Sequence, residues 1–296
     1  MSRLLYLALG AVLIGGAAFW MLTRPEQLAP DALAGLTGDA LRGAAVFHAG
    51  GCVSCHAAPG AEGDARLVLA GGQSFPSPFG TFKAPNISND PTVGIGGWSA
   101  LDLANAMLHG TSPDGAHYYP AFPYGTYRQA NLQDIVDLRA YLATLPADAT
   151  PNQPHGLGFP FTIRRGLGLW KLAFARGGWV VTGDLTPAET RGRYLAEALG
   201  HCAECHTPRN ALGGLDKSRW LAGAPDPSGK GTVPNITPAK LQWSESEIVE
   251  YLTSGFTPDF DSAGGHMAHV VGNFAQLPDA DRAAVAAYLK KVPAVN

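Results

Sequence analysis

Two short strings constrain this chain more than anything else in it. Gly51-Cys52-Val53-Ser54-Cys55-His56 occurs again as His201-Cys202-Ala203-Glu204-Cys205-His206. Two thiols three positions apart on a helical turn can add to the two vinyl groups of one porphyrin, and the next residue brings its imidazole under the iron. The other nitrogen of that imidazole is expected to donate to a backbone carbonyl, which fixes the tautomer. A single Cys-x-x-Cys also suits a redox dithiol or half a zinc site. Here a histidine follows both pairs and no other cysteine remains. The expectation is two covalently bound haem c groups, attached through Cys52, Cys55, Cys202 and Cys205, with His56 and His206 as iron ligands.

The chain has 296 residues, a length that suits two domains. Its 37 glycines and 23 prolines suit loops that wrap a cofactor, and its net charge of -3 is too mild to suggest a nucleic acid partner. All four cysteines belong to the two motifs, so there is no disulfide framework. Covalent haem attachment takes place outside the bacterial cytoplasmic membrane, so the motif implies an exported chain. Residues 4–22 supply the means, an uncharged apolar run of 19 residues after Arg3. That is long enough to span a bilayer. Gly16-Ala17-Ala18 offers a cleavage site for a signal peptide, whereas Trp20 suits an interfacial anchor. The preferred reading is an uncleaved signal anchor or transmembrane helix at 1–23 and a stalk at 24–30, with the remainder facing the periplasm.

Beyond the stalk the chain repeats itself. Arg42-Gly43 and Arg191-Gly192 precede the two motifs; Pro85-Asn86-Ile87-Ser88 answers Pro234-Asn235-Ile236-Thr237; Trp98-Ser99 answers Trp243-Ser244. Gly110 to Asp114 answers Gly255 to Asp259, and Ala140-Tyr141-Leu142 answers Ala287-Tyr288-Leu289. The units read as two copies of one haem domain, 31–150 and 181–296. Each is expected to run from a helix before the motif (40–47, 187–199), through Gly/Pro loops and a short helix (98–109, 244–254), to a closing amphipathic helix (132–145, 279–290). The fold class is mainly α, with no alternation long enough for a sheet; Trp179 to Thr182 is at most a short extended piece. Residues 151–180 hold Arg164, Arg165, Lys171 and Arg176 with no acid, and Phe161, Trp170, Phe174 and Trp179. They read either as a strap packed between the domains or as a segment lying on anionic lipid beside the anchor.

First and last helices crossing beside a haem resemble the cytochrome c arrangement. More specifically, the chain resembles the cytochrome c subunits of membrane-bound bacterial dehydrogenases of the alcohol, gluconate and sorbitol type. The resemblance rests on the two haem motifs, the Pro-Asn-Ile-Ser/Thr loops, Ser112-Pro113-Asp114-Gly115, Tyr119-Pro120-Ala121-Phe122-Pro123-Tyr124 and Gly264-Gly265-His266-Met267. It implies a membrane-anchored electron carrier between a dehydrogenase and a quinone, a soluble cytochrome or a terminal oxidase. Those subunits usually carry three haems; this chain has motifs for two.

The sixth iron ligands differ between the copies. Met267, eight residues past Asp259, is expected to complete the second haem as a His/Met pair. The same count from Asp114 reaches Phe122, where the related motif has methionine, and phenylalanine cannot ligate. His117, Met107 or an open iron remain for the first haem, with His117 preferred. Two rival functions stay open: a diheme enzyme of peroxidase type using an open first haem, and a haem sensor or binding module. No phosphate loop or Ser-His-Asp order suggests other chemistry.

Overall fold

The computed structural model describes residues 2–226 and 231–296. Met1, inside the anchor span, and 227–230, inside the second repeat, lie outside the described residues. Helix α1 (Ser2–Leu22) is uncharged and apolar past Arg3, and none of its membrane-length span is buried against the rest of the molecule. It ends at Thr23, whose N–H and hydroxyl both donate to the Phe19 carbonyl and which is fully buried. Residues 24–30 are not a free stalk. They lie along the first repeat, where the Thr111 hydroxyl donates to the Glu26 carbonyl and the Leu28 N–H donates to Asn105 Oδ1.

The first repeat comprises α2 (Ala40–Ala49), α3 (Cys52–His56), the hairpin β1 (Ser74–Ser77) and β2 (Gly80–Lys83), α4 (Ala100–His109), α5 (Tyr124–Tyr127) and α6 (Leu132–Leu142). Strand β3 (Gly156–Leu157) extends the hairpin and opens the connection to the second repeat, which contains α7 (Leu167–Phe174). The second repeat comprises α8 (Pro187–Tyr194), continued by a π-helical turn over Leu195–Leu199, then α9 (Ala203–His206), the two-residue strands β4 (Ala224–Pro225) and β5 (Thr232–Val233), α10 (Glu245–Ser254), α11 (Gly265–Phe274) and α12 (Asp279–Lys291). Matching helices begin with matching caps: Ser99 with Asp102 before α4, and Ser244 with Glu247 before α10, each close a capping box.

The first and last helices of each repeat cross, and the Arg-Gly pair makes the crossing. A Cβ on Gly43 would stand 2.0 Å from the Asp137 carbonyl oxygen, and one on Gly192 would stand 1.8 Å from that of Ala284. Only hydrogen fits there, so α2 seats directly on α6 and α8 on α12. The neighbouring arginine then reaches an acid on the closing helix. Arg42 grips both Asp137 oxygens at 2.7 and 2.9 Å, and Arg191 grips both Asp281 oxygens at 2.8 Å. Buried apolar side chains form one continuous core through both repeats, from Phe47, Leu69 and Ile135 to Leu195, Leu221 and Tyr288.

The mainly α class is as expected, two haem-binding repeats behind an apolar helix. Four stretches depart from expectation. Residues 74–83 form a hairpin where loop was read. Trp179 to Thr182 is irregular and not extended strand. Helices α7 and α11 fill stretches read as connection and loop.

Candidate haem centres

In each repeat the Cys-x-x-Cys-His turn follows a helix almost without a break. Gly51, at φ +60°, turns the chain from α2 into α3. The imidazoles are then oriented from behind. His56 Nδ1 bonds the Pro85 carbonyl at 2.9 Å and His206 Nδ1 bonds the Pro234 carbonyl at 2.8 Å. A carbonyl only accepts, so Nδ1 carries the hydrogen and Nε2 keeps its lone pair for iron. The repeated Pro-Asn-Ile-Ser/Thr string holds that carbonyl in place. Asn86 Nδ2 donates to the Asp148 and Thr150 carbonyls, while its Oδ1 accepts from the Ser88 N–H. Asn235 Nδ2 donates to the Val295 carbonyl and its Oδ1 accepts from the Thr237 N–H. A Leu-Ala-Gly string, Leu69 to Gly71 and Leu221 to Gly223, completes the frame and was passed over in the sequence. Both leucines are buried at positive φ, 59° and 56°. The Gly71 N–H donates to the His56 carbonyl, and the Gly223 N–H to that of His206.

The thiols do not suit redox exchange. Burial pushes Cys52 and Cys202 up to about 12, whereas an exchanging dithiol has a lowered pKa. Among the described residues no group of three His, Cys, Asp or Glu side chains converges as a metal site. What remains is a pair of thiols on one turn beside an imidazole with a free, oriented Nε2, and this donor set fits covalent haem in both repeats.

In the loops that carry the candidate sixth ligands the two repeats diverge. Met267 lies in the first turn of α11, half-buried against the core, and His266 and His269 beside it are exposed. The loops before it keep a common register: Thr111 bridges His117 as Phe256 bridges Ser262, and the Tyr118 N–H donates to the Gly110 carbonyl as the Ala263 N–H does to that of Gly255. Past that point the repeats part. Met267 sits in a ten-residue helix, while Phe122 sits in a turn before the four-residue α5, its ring tilted against Tyr127 with centroids 5.7 Å apart. Equal spacing from the two aspartates therefore does not put Phe122 and Met267 on equivalent elements. His117 is committed elsewhere. Its Nε2 donates to the Thr23 carbonyl at 2.8 Å, and its Nδ1 accepts from Lys171 Nζ at 2.9 Å. Neither nitrogen is left for iron, and the expectation of His117 as a ligand is corrected accordingly. Its counterpart Ser262 has no imidazole at all. Met107 is buried in α4 within the core.

The cytochrome c family model matches residues 40–146 and 190–293, once over each repeat. The chain belongs to the cytochrome c family. It is 61% identical, over all of both chains, to a diheme cytochrome c-type protein of Cereibacter sphaeroides. It is 39% identical to the fructose dehydrogenase cytochrome subunit of Gluconobacter japonicus, over 86% of this chain and 52% of that one. It is 34% identical to the cytochrome c subunit of the quinone alcohol dehydrogenase of Gluconacetobacter polyoxogenes, over 96% and 62% respectively. The chain thus spans about half to two thirds of these dehydrogenase subunits. It is a diheme cytochrome c with two covalently bound haem c groups, related to dehydrogenase cytochrome subunits, and its business is electron transfer.

The two cytochrome c domains meet on the attachment motifs themselves. Ser54 and Glu204 occupy the same place within their motifs, and each bonds the opposite domain. Asn273 Nδ2 on α11 donates to Ser54 Oγ at 2.8 Å, and the Thr126 hydroxyl on α5 donates to Glu204 Oε1 at 2.6 Å. His201 packs edge-on against Tyr127, whose hydroxyl donates to the Gly50 carbonyl. None of Ser54, Thr126, Glu204 or Asn273 was singled out from the sequence. The one signal was a polar residue at the same place in both motifs.

Proposed function

We propose that this cytochrome is a membrane-anchored relay that accepts electrons from a dehydrogenase subunit on the periplasmic face of the bacterial cytoplasmic membrane and passes them to a quinone, a soluble cytochrome or a terminal oxidase. The observation that carries the reading is the contact each attachment motif makes with the opposite domain, Ser54 with Asn273 and Glu204 with Thr126, which suits passage of an electron from one domain to the other within one chain. Haem supplies a one-electron couple; the protein supplies its attachment, its ligands and its surroundings. Cys52, Cys55, Cys202 and Cys205 hold the groups. His56 and His206 present Nε2 to iron, kept in one tautomer by the Pro85 and Pro234 carbonyls. Met267 offers a thioether to the second haem, which favours the reduced state, and the first haem lacks a donor at the matching element.

Retention of α1 is supported by how its end is used. Thr23 is fully buried, its carbonyl accepts from His117, and Arg165 bonds both the Thr23 hydroxyl and the Trp20 carbonyl. Cleavage after Ala18 would leave Phe19 to Thr23 as a frayed terminus. The peroxidase-type alternative loses its candidate acid–base, because both nitrogens of His117 are engaged.

Membranes from cells expressing or lacking the chain test the reading. Sugars, polyols, alcohols and sugar acids are added in turn while the reduced haem band is followed under an oxygen-limited atmosphere. At least one substrate should reduce the haems, and oxygen uptake on it should collapse without the chain. No reduction by any dehydrogenase substrate, together with peroxide turnover above free haem, would overturn the relay.

A further inference from the structure

Segment 159–172, between the two domains, carries apolar side chains that none of the described residues covers. Phe159 is 83% exposed, Ile163 51% and Leu172 41%, with Phe161 and Leu169 also open. Such exposure is usual on a helix made to sit in lipid and costly on a surface facing water. The backbone beneath these side chains is nevertheless pinned. The Tyr119 hydroxyl donates to the Phe161 carbonyl, Lys171 Nζ donates to the His109 and Gly110 carbonyls, and Trp170 Nε1 donates to the Leu212 carbonyl in the second domain. The segment is a built ledge, not a loose loop.

Its level relative to α1 is set by direct bonds. The Arg165 guanidinium lies 4.0 Å over the Trp20 ring and donates to the Trp20 carbonyl at 2.6 Å. Gly168 packs on Thr23 so closely that a Cβ would come 2.5 Å from Thr23 Cα. The span Arg3–Leu22 has 20 residues. At ~1.5 Å per residue a helix of that size is about 30 Å long, the thickness of a bilayer's hydrocarbon core. Trp20 and Thr23 then lie at the headgroup level, and the ledge bonded to them lies there too. Charge agrees. Residues 151–180 carry four basic residues and no acid, while 31–150 carries five basic against ten acidic residues and 181–296 ten against thirteen.

We infer that residues 159–172 lie on the periplasmic leaflet of the membrane, with Phe159, Phe161, Ile163, Leu169 and Leu172 seated among acyl chains, and with the exposed Arg164 and, just past the segment, Arg176 among anionic headgroups. This rests on the reading of α1 as a retained anchor. It adds a second membrane contact, which fixes the tilt of both domains against the bilayer where a single helix would leave them free to swing.

The holoprotein has no free thiol, since all four cysteines attach haem, so one introduced cysteine is a unique label. Ile163→Cys and Leu172→Cys are compared with Leu41→Cys, a site 87% exposed on the first domain. Each full-length variant, with its haem spectrum intact, is reconstituted into phosphatidylethanolamine–phosphatidylglycerol vesicles and floated. A charged, water-soluble thiol reagent should modify positions 163 and 172 at least tenfold more slowly than position 41, and a lipid-soluble maleimide should reverse the order. Equal rates at all three positions overturn the ledge while leaving the anchor intact. Rates that are equal in vesicles and fall at 163 and 172 only when dehydrogenase is added assign the face to a protein partner and overturn it as well. Protein that fails to float overturns the anchor, and the ledge with it.

Discussion

At the residue scale the repeated Arg-Gly pair shows how a two-letter string becomes a fold. Gly192→Ala puts a methyl group into the Ala284 carbonyl, and overpacking of that kind costs on the order of 1–3 kcal/mol. Gly272, on α11, has open space where its Cβ would be. Alanine there should be neutral or stabilise by up to about 1 kcal/mol. Denaturant midpoints of the two variants should therefore move in opposite directions or differ sharply, and equal midpoints would mean the helices do not cross at Gly192. The distal ligand gives a second test. Met267→Ala should abolish the weak near-infrared sulfur-to-iron band of the oxidised protein and lower the potential of one haem only. Two such bands in the wild type would identify Met107 as a ligand of the first iron. Phe122→Met reads the turn before α5: a rise in the first potential would place that turn over the iron, whereas no change fits the different local structures of Phe122 and Met267.

At the scale of elements, α2 and α6 are joined by a charge pair whose pH dependence has a definite sign. Burial alone would raise the Asp137 carboxyl, but the Arg42 guanidinium, the Asp39 N–H and the Gln133 amide hold it below the ordinary carboxylate range. The unfolded chain then takes up the proton first, so the contribution is fully present above the unfolded value and fades as pH falls through the lower folded one. Asp137→Asn should cost about 1–3 kcal/mol near neutrality, with the gap to wild type closing below roughly pH 4. A gap that is constant from pH 6 to pH 2.5 would rule out the ionic part. Helices α2, α4, α6, α8, α10 and α12 were legible for local reasons, α4 and α10 from their caps and α6 and α12 from their periodicity. Helix α11 was not, although Met267, Val270, Val271 and Phe274 have helical spacing, because Gly264-Gly265 reads as a turn. The hairpin was hidden by Pro76, which fits only because β1 is the edge strand. The preference for His117 failed for a different reason. The loop register that carried it is real as far as Ser262, yet the imidazole is drawn away by Thr23 and Lys171, partners 94 and 54 residues distant in sequence.

At the scale of the whole molecule, the repeats are arranged so that equivalent positions in the two attachment motifs, Ser54 and Glu204, each hold the other domain. An electron entering at either domain should reach the other without a second protein molecule. Flash reduction of a dilute sample, followed at wavelengths where the two haems differ, should show redistribution toward the Met267 domain at a rate independent of protein concentration. A rate proportional to concentration would mean that electrons move between molecules and that the interface has no part in transfer. Asn273→Leu with Thr126→Val removes the hydrogen bonds to Ser54 and Glu204 while keeping side-chain bulk and leaving that between His201 Nε2 and the Gly50 carbonyl in place. With haem content and both potentials unchanged, this pair should slow redistribution at least threefold, because the Ser54 and Glu204 turns are no longer clamped and the separation between the domains is free to widen. Slowing accompanied by shifted potentials would instead trace to driving force. An unchanged rate at unchanged potentials would show that the shared apolar core, running from Phe47 to Tyr288, and the remaining polar contacts, such as that of the Asn131 N–H to the Tyr194 hydroxyl, hold the two domains in register without the Ser54 and Glu204 bonds.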